Sequence, residues 1–262
     1  MRSGKLVAAF AVLLVVSFAV MNAMPSDTLP AALLQETVLA LVAFAAVGFA
    51  IPDALKCCTK SVQQRNTVRF TATALLLAGL VGGAITLLAW LFASGGTMAC
   101  FASTALSSTA DLMENLLLLL GICLLTGLYE ESFMRVLGIE AFERALDTKR
   151  AILASAALFA LLHVGAPDVS AGQLVLLQTA LKFGQALLFG VILGALYVRT
   201  RRLWPCAFIH AGFDVLYMAP NVLLTGTMPE TYASGAVGDT VLLAVSVLML
   251  SGIVLKIRKE IA

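Results

Sequence analysis

Long apolar runs, cut at intervals by short basic stretches, decide what this chain can fold into. A helix needs about 20 apolar residues to cross a bilayer. Eight segments approach or reach that length. They run from Leu6 to Met24, Ala31 to Ile51, Phe70 to Ala93, Asn115 to Tyr129, Ala151 to Gly165, Gln173 to Val198, Leu203 to Ala219 and Thr240 to Ile257. The fourth and fifth are short. Hydrocarbon admits only helices and closed barrels, and a barrel reads as short alternating stretches. These runs are unbroken, so the expected fold is all-α, a polytopic membrane bundle of about eight transmembrane helices. Composition agrees. With 61% hydrophobic and 12% charged residues, the chain lies far from the ~25% charged content of a soluble domain. A water-soluble enzyme and a disordered tail are both excluded. No internal repeat is visible, and residues 1–262 read as a single membrane domain.

Basic residues predict the orientation, because Lys and Arg collect in cytoplasmic loops. Arg2 and Lys5 precede the first span. Lys56, Lys60, Arg65 and Arg69 separate the second and third. Arg135, Arg144, Lys149 and Arg150 separate the fourth and fifth. Arg199, Arg201 and Arg202 follow the sixth, and Lys256, Arg258 and Lys259 end the chain. Of the 17 Lys and Arg residues only Lys182 falls outside this set. The intervening loops carry Asp27, Asp111, Asp168, Glu230 and Asp239 instead. Both termini are therefore expected in the cytoplasm, with the first segment an uncleaved anchor in the plasma or cytoplasmic membrane. The net charge of +2 serves topology and implies no nucleic-acid partner. The five cysteines form no CxxC pair, so neither a zinc knuckle nor a redox motif is readable. Cys57–Cys58 at a membrane edge reads as apolar filler or a lipidation site.

An ionisable group inside a membrane costs about 2.5–3.5 kcal/mol on insertion scales and marks function by default. Three clusters carry such groups: Glu130-Glu131-Ser132-Phe133-Met134-Arg135, Phe159-Ala160-Leu161-Leu162-His163, and His210-Ala211-Gly212-Phe213-Asp214. Both histidines of the chain fall in them. Residues four apart share a helix face. Glu131 and Arg135 are thus expected to pair, leaving Glu130 rotated away and free. His210 and Asp214 point at one volume, and Phe159 dries a wall beside His163. Converging between three helices, such a set can activate water directly or through a metal ion. Blander readings exist for each cluster alone: an interfacial ion pair, a helix–helix hydrogen bond, a proton relay.

EExxxR, then FxxxH, then HxxxD on successive helices resembles the CAAX protease and bacteriocin-processing family. These intramembrane proteases include the type II CAAX prenyl endopeptidases and bacterial immunity proteins. The flanks Ser155-Ala156-Ala157-Leu158-Phe159 and Leu203-Trp204-Pro205 resemble the family's lead-ins. The resemblance covers roughly residues 115 to 220, the expected catalytic core. It implies an intramembrane endopeptidase acting on a peptide or membrane-protein substrate, in CAAX-type processing, peptide maturation or self-immunity. It also implies roles: Glu130 as general base working with His163, Glu131 and Arg135 as a supporting pair, and His210 and Asp214 facing the oxyanion. Phe159 is the supporting aromatic of the second motif. Two departures stand out. Met134 and Val136 flank the motif Arg where the family usually has Phe and Gly. Asp214 replaces a frequent Asn, and an ionised Asp cannot donate to an oxyanion. Asp214 then acts as a protonated donor, orients His210, or binds a metal.

Two mechanisms stay open at this level. One is a metal-free glutamate mechanism. The other places a divalent ion such as Zn2+ on His163, His210 and Asp214, with Glu130 taking the proton. The chain lacks HExxH, GxSxG and paired intramembrane aspartates, the marks of other protease types. Two other function classes remain: a non-catalytic scaffold of the same fold that binds a membrane partner, and a proton-coupled transporter.

Depth sets further expectations. Glu130 lies near the cytoplasmic end of its predicted span, and the cavity is expected to open to the cytoplasm or the inner leaflet. The amphipathic stretch Val136 to Leu146 reads as a short interfacial helix that offsets the fifth span. Gln178, Lys182 and Gln185 form one polar stripe, and Lys182 is a candidate for lining the cavity. Gly190 and Gly194 make a GxxxG suited to close helix packing.

Overall fold

The computed structural model describes residues 2–24, 26–56, 61–93, 109–164, 172–228 and 233–261. The expectations attached to Cys57, Cys58, Lys60, Cys100, Asp168 and Glu230 lie outside these residues. The described residues form a helical bundle with no strand. Its long helices are α1 (Arg2–Ala23), α2 (Leu29–Ala50), α3 (Val62–Ala93), α4 (Thr109–Glu130), α5 (Thr148–Val164), α6 (Gln173–Thr200), α7 (Leu203–Thr225) and α8 (Val237–Ile261). Seven are long and apolar enough to cross a membrane. The exception is α5, with 17 residues. At 1.5 Å per residue it spans only about 25 Å, which makes it the short member that the sequence suggests. The chain is an integral membrane protein.

Local chemistry explains several ends. Thr28 caps α2 by accepting from the Ala31 amide, and Pro30 occupies the first turn, where no amide partner is needed. Ser61 and Gln64 exchange side-chain to backbone bonds at the start of α3, a reciprocal capping box. Arg201 ends α6 in the left-handed region with φ 50°. That conformation usually selects glycine.

The fourth segment differs from expectation. It does not stop at Tyr129. It continues from α4 into a π-helix over Glu131–Ile139 and a last turn over Glu140–Phe142. Val136, Leu137 and Ile139 are completely buried, so the stretch from Val136 is no interfacial helix up to that point. It is core because the wider π turn points these side chains between α1, α5 and α6. Ser155 of α5 donates to the Met134 carbonyl at 2.6 Å and serves a backbone acceptor of the irregular stretch. Glu130 therefore lies 12 residues before the end of its helix, not near that end.

Small residues set the interhelical spacing. A Cβ built on Gly190 meets the Ala156 Cβ at 2.9 Å, and one on Gly194 meets Ile152 Cγ2 at 2.9 Å. The GxxxG of α6 is thus a close-packing face against α5. Gly127 of α4 lies against α7, where a Cβ would sit 2.6 Å from the Ala207 carbonyl oxygen. This contact lies one turn before Glu130 and one turn before His210, so it sets how far apart those two groups are held.

The basic end of the bundle is fastened by a charge cluster. Arg201 Nη1 donates to Glu140 Oε1 and to Glu143 Oε2, both at 2.7 Å, and Nη2 donates to Glu143 Oε1 at 2.9 Å. Tyr197 adds a bond to Glu140 at 3.0 Å. A two-toothed Arg–carboxylate pair is the strong form of this interaction. It ties the end of the fourth segment to the end of α6. Burial raises the Glu143 carboxyl, but the bonds from Arg201 and Thr148 outweigh it and hold the group below the usual carboxylate range. A depressed carboxylate stabilises the fold above its unfolded pKa of roughly 4.3, and that contribution is lost as pH falls through the folded value. Thermal unfolding of the detergent-solubilised protein between pH 7 and pH 3 is expected to show falling stability below about pH 4. Glu143→Gln should flatten that part of the profile. An unchanged acid slope in the variant would remove Glu143 as its source.

Candidate active site

The three sequence clusters converge in the structure. Glu130 and Glu131 close α4 and open the π-helix, His163 stands in the last turn of α5, and His210 and Asp214 lie on α7. Glu130 Oε1 is 3.9 Å from His163 Nε2, and Glu130 Oε2 is 3.5 Å from His210 Nε2. Asp214 Oδ2 is 3.3 Å from the same His210 nitrogen. Glu131 Oε1 approaches His210 Nδ1 at 2.7 Å. Two consecutive glutamates therefore reach the two nitrogens of one imidazole. This differs from the expectation that Glu130 is rotated away from the Glu131 face. The two side chains flank the junction of α4 and the π-helix and bend toward the same ring.

Glu131 also pairs with Arg135, whose Nε lies 3.1 Å from Oε2. Both side chains are 0% exposed. The guanidinium carbon stands 4.2 Å from the centre of the Phe159 ring. Its Nη atoms find no hydrogen-bond acceptor among the described residues. The ring face and one carboxylate are what stabilise this buried cation. Phe159 in turn stacks on His163, with centroids 4.1 Å apart. One aromatic ring thus joins the buried ion pair to the first histidine.

Hydrogen bonds fix the histidine tautomers. His163 Nδ1 lies 2.9 Å from the Phe159 carbonyl, which only accepts. The proton is therefore on Nδ1, and the neutral ring presents its Nε2 lone pair to Glu130. His210 Nδ1 donates to Glu131. Its Nε2 faces Asp214 and Glu130, so the imidazolium form donates on both sides. Phe189 lies edge-on to His210 at 4.8 Å, and Phe213 lies 4.8 Å from Phe189. Phe189, backed by Phe213, dries the far side of the imidazole. The motifs give no sign of Phe189.

The expected metal set does not close. Within 4 Å His163 contacts Glu130 but not Asp214 among the described residues. Ligands on one zinc ion at about 2.0–2.1 Å must lie closer together than that. Among the described residues no three His, Cys, Asp or Glu side chains are grouped to hold a metal ion. The residues present do not fit a metal centre, and no step of the reaction is routed through one.

A cavity of about 990 Å3 adjoins these groups. Glu130, His163, Lys182, His210 and Asp214 line it, together with Glu36 and Thr126. The polar stripe of α6 divides. Lys182 faces the cavity and donates to Gln185 Oε1 at 3.1 Å. Gln178 instead fastens the start of α8, bonding Ala236, Thr240 and the Gly235 amide. Glu36 is a site residue that the motif reading missed. It is the one acid in the apolar run of α2, and the cost of a charge in hydrocarbon is the signal that marks it.

Ser26, Asp27, Thr227, Met228 and Ala233 also line the cavity. They belong to the connections α1–α2 and α7–α8, at the end of the bundle opposite Lys56, Lys149 and Arg201.

Residues 112–216 match the family model described as type II CAAX prenyl endopeptidase, Rce1-like. This core is similar to that family. The match spans all three clusters. No curated protein matches the chain.

Burial makes the Glu131–Arg135 pair a sharp test of the site. Removing one partner of a buried pair costs about 3–5 kcal/mol because the other charge is left unpaired. Arg135→Met is expected to lower thermal stability in detergent strongly. The double change Glu131→Gln with Arg135→Met should recover much of that loss. A double variant no more stable than Arg135→Met alone would show that the pair is not the source.

Proposed function

We propose that this chain is an intramembrane endopeptidase in which Glu130 and His163 activate a water molecule. The Rce1-like match supports a protease of CAAX type at the level of the family. The observation that carries the residue-level reading is the pair of acceptors, Glu130 Oε1 and His163 Nε2, 3.9 Å apart on the cavity wall. A gap above 3.5 Å between two polar groups suits a bridging water. Because His163 carries its proton on Nδ1, both groups accept from that water. Its two hydrogens are directed to protein, and its oxygen lone pair points into the cavity.

The steps balance without a further reactant. The water oxygen attacks the scissile carbonyl carbon while Glu130 takes a proton. The carbonyl oxygen becomes an oxyanion facing His210, whose Nε2–H donates to it. Glu131 on Nδ1 holds that ring in place, and Asp214 steadies the imidazolium. Glu130 then returns its proton to the amine as the C–N bond breaks. In this scheme Asp214 does not itself donate to the oxyanion. It supports the donor, which removes the difficulty raised by Asp in place of Asn. Glu131, Arg135 and Phe159 position the groups that react.

Glu130→Gln keeps the shape and removes the base. General-base catalysis contributes typically 10²–10⁴-fold, so peptide cleavage should fall by about that factor while thermal stability changes little. The readout is comparative peptidomics of native membranes carrying wild type or variant at matched expression. A defined set of peptide termini should vanish with the variant. Unchanged termini would overturn the assignment of Glu130.

A further inference from the structure

One proton of His210 has three claimants in the reaction. The imidazolium carries a single N–H on the cavity side, at Nε2. Asp214 Oδ2 at 3.3 Å and Glu130 Oε2 at 3.5 Å both face it, and the oxyanion needs it as well. Glu130 stops competing as an anion once it has taken the proton from water. Asp214 stays a carboxylate on the bond that has to be released. An Asn at this position raises no such conflict, because a carboxamide is neutral and can itself donate.

Lys182 stands where it can answer that charge. It is the one Lys or Arg among the described residues that line the cavity, and it belongs to none of the three motifs. Gln185 Nε2 donates to the Tyr217 hydroxyl at 2.9 Å, and Phe189 lies 4.8 Å from Phe213. The two helices therefore run antiparallel here, and Asp214 of α7 lies level with the turn of α6 between Gln185 and Phe189. Lys182 begins one turn before Gln185, and its ammonium donates to Gln185 Oε1 at 3.1 Å. The side chain thus leans along α6 toward the level of Asp214. The carboxylate charges that act on the ammonium are those of Asp214 and Glu130. An ammonium carries three donors, so the bond to Gln185 does not exhaust it. Gln185 and Tyr217 are buried, and Tyr217 bonds Ser246 of α8. This buried string fixes the direction of the lysine.

We propose that Lys182 draws the Asp214 carboxylate off His210 as the oxyanion forms, so that the Nε2–H of His210 can serve the oxyanion. The proposal deepens the peptidase reading and rests on it for the reaction, but not for the charge coupling itself. Lys182 is a positioning residue that acts on the oxyanion donor through Asp214. The carboxylate added by Asp214 has its own cation on the facing helix.

Nitrogen NMR of the detergent-solubilised protein with isotope-labelled histidine tests the coupling without turnover. The chain has two histidines, and His163→Gln tells their signals apart. Lys182→Met should move the His210 Nε2 signal downfield, because Asp214 then bonds the ring more tightly. In an Asp214→Asn background the same change should leave the signal in place. An unmoved signal, or an equal move in both backgrounds, overturns the coupling. Lys182→Gln repeats the test where the Met variant does not fold. The second readout is the rate at which Glu130-dependent peptide termini appear in native membranes. Lys182→Met should slow it about tenfold, less than the 10²–10³ typical of losing an oxyanion donor itself. Lys182→Arg keeps the charge and should retain most of the rate. With Asp214→Asn already present, Lys182→Met should cost little more. An equal loss in both backgrounds would show that Lys182 acts without Asp214 and overturn the proposal. If no termini depend on Glu130 while the nitrogen signals move as expected, the peptidase reading fails and the Lys182–Asp214 coupling stands.

Discussion

Charge inside hydrocarbon is the constraint around which this bundle is organised. Glu36, Glu130, Glu131, Arg135, His163, Lys182, His210 and Asp214 all lie within helices of a membrane protein. On insertion scales each ion costs about 2.5–3.5 kcal/mol. The structure answers that cost by gathering the groups instead of scattering them. Arg135 stabilises Glu131, Glu131 holds His210, and His210 stands between Asp214 and Glu130. Glu130, His163, Lys182, His210 and Asp214 line the cavity. Those that do not are sealed: Arg135 and Glu131 are among the most deeply buried side chains of the chain. The sealed pair lies directly behind the groups that face the cavity.

The gathering sits at a change of helix type. Glu130 ends α4 and Glu131 opens the π-helix, and both carboxylates reach the imidazole of His210. The irregular stretch is supported by its surroundings. Ser155 satisfies the Met134 carbonyl, and Val136, Leu137 and Ile139 are packed on all sides. Val136, one of two departures from the usual family pattern, is thus a core residue of the π segment. Gly127 lets α4 approach α7 closely enough for the two glutamates to reach across.

Periodicity and charge carry the part of the molecule that is legible in the sequence. The eight helical segments, the Glu131–Arg135 pair, the closeness of Phe159 to His163 and the Gly190–Gly194 packing face all depend on residues three or four apart on one helix. The structure keeps that relation in each. The parts that are not legible depend on relations across helices or on a change of helix type. No pattern in Glu131–Ile139 announces a π-helix, so Glu130 is misplaced toward a helix end and Val136 onward is misread as interfacial. Phe189 packs on His210 from α6 and Phe213 packs on Phe189 from α7, and nothing around Phe189 in the sequence marks it. Gln178 looks like part of the Lys182 stripe until α8 supplies its partners. Glu36 is the instructive case. The rule that found Glu130 applies to it equally, but it belongs to no motif.

Depth and sidedness separate once the fourth segment is traced to Phe142. From that end Glu130 lies at most about 18 Å in, at 1.5 Å per residue. His163 lies about 22 Å from the start of α5 by the same rise. The short α5 and the long fourth segment thus bring both groups to a common level well inside the bundle. A set at that level can be served from either end, and the helix ends alone do not choose. At the basic end Arg201 locks Glu140 and Glu143 together, and Trp204 bonds the Leu55 carbonyl at 2.8 Å. At the other end Ser26, Asp27, Thr227 and Met228 line the cavity. The basic residues at the Arg201 end thus also pack that end, through Arg201 and its two glutamates.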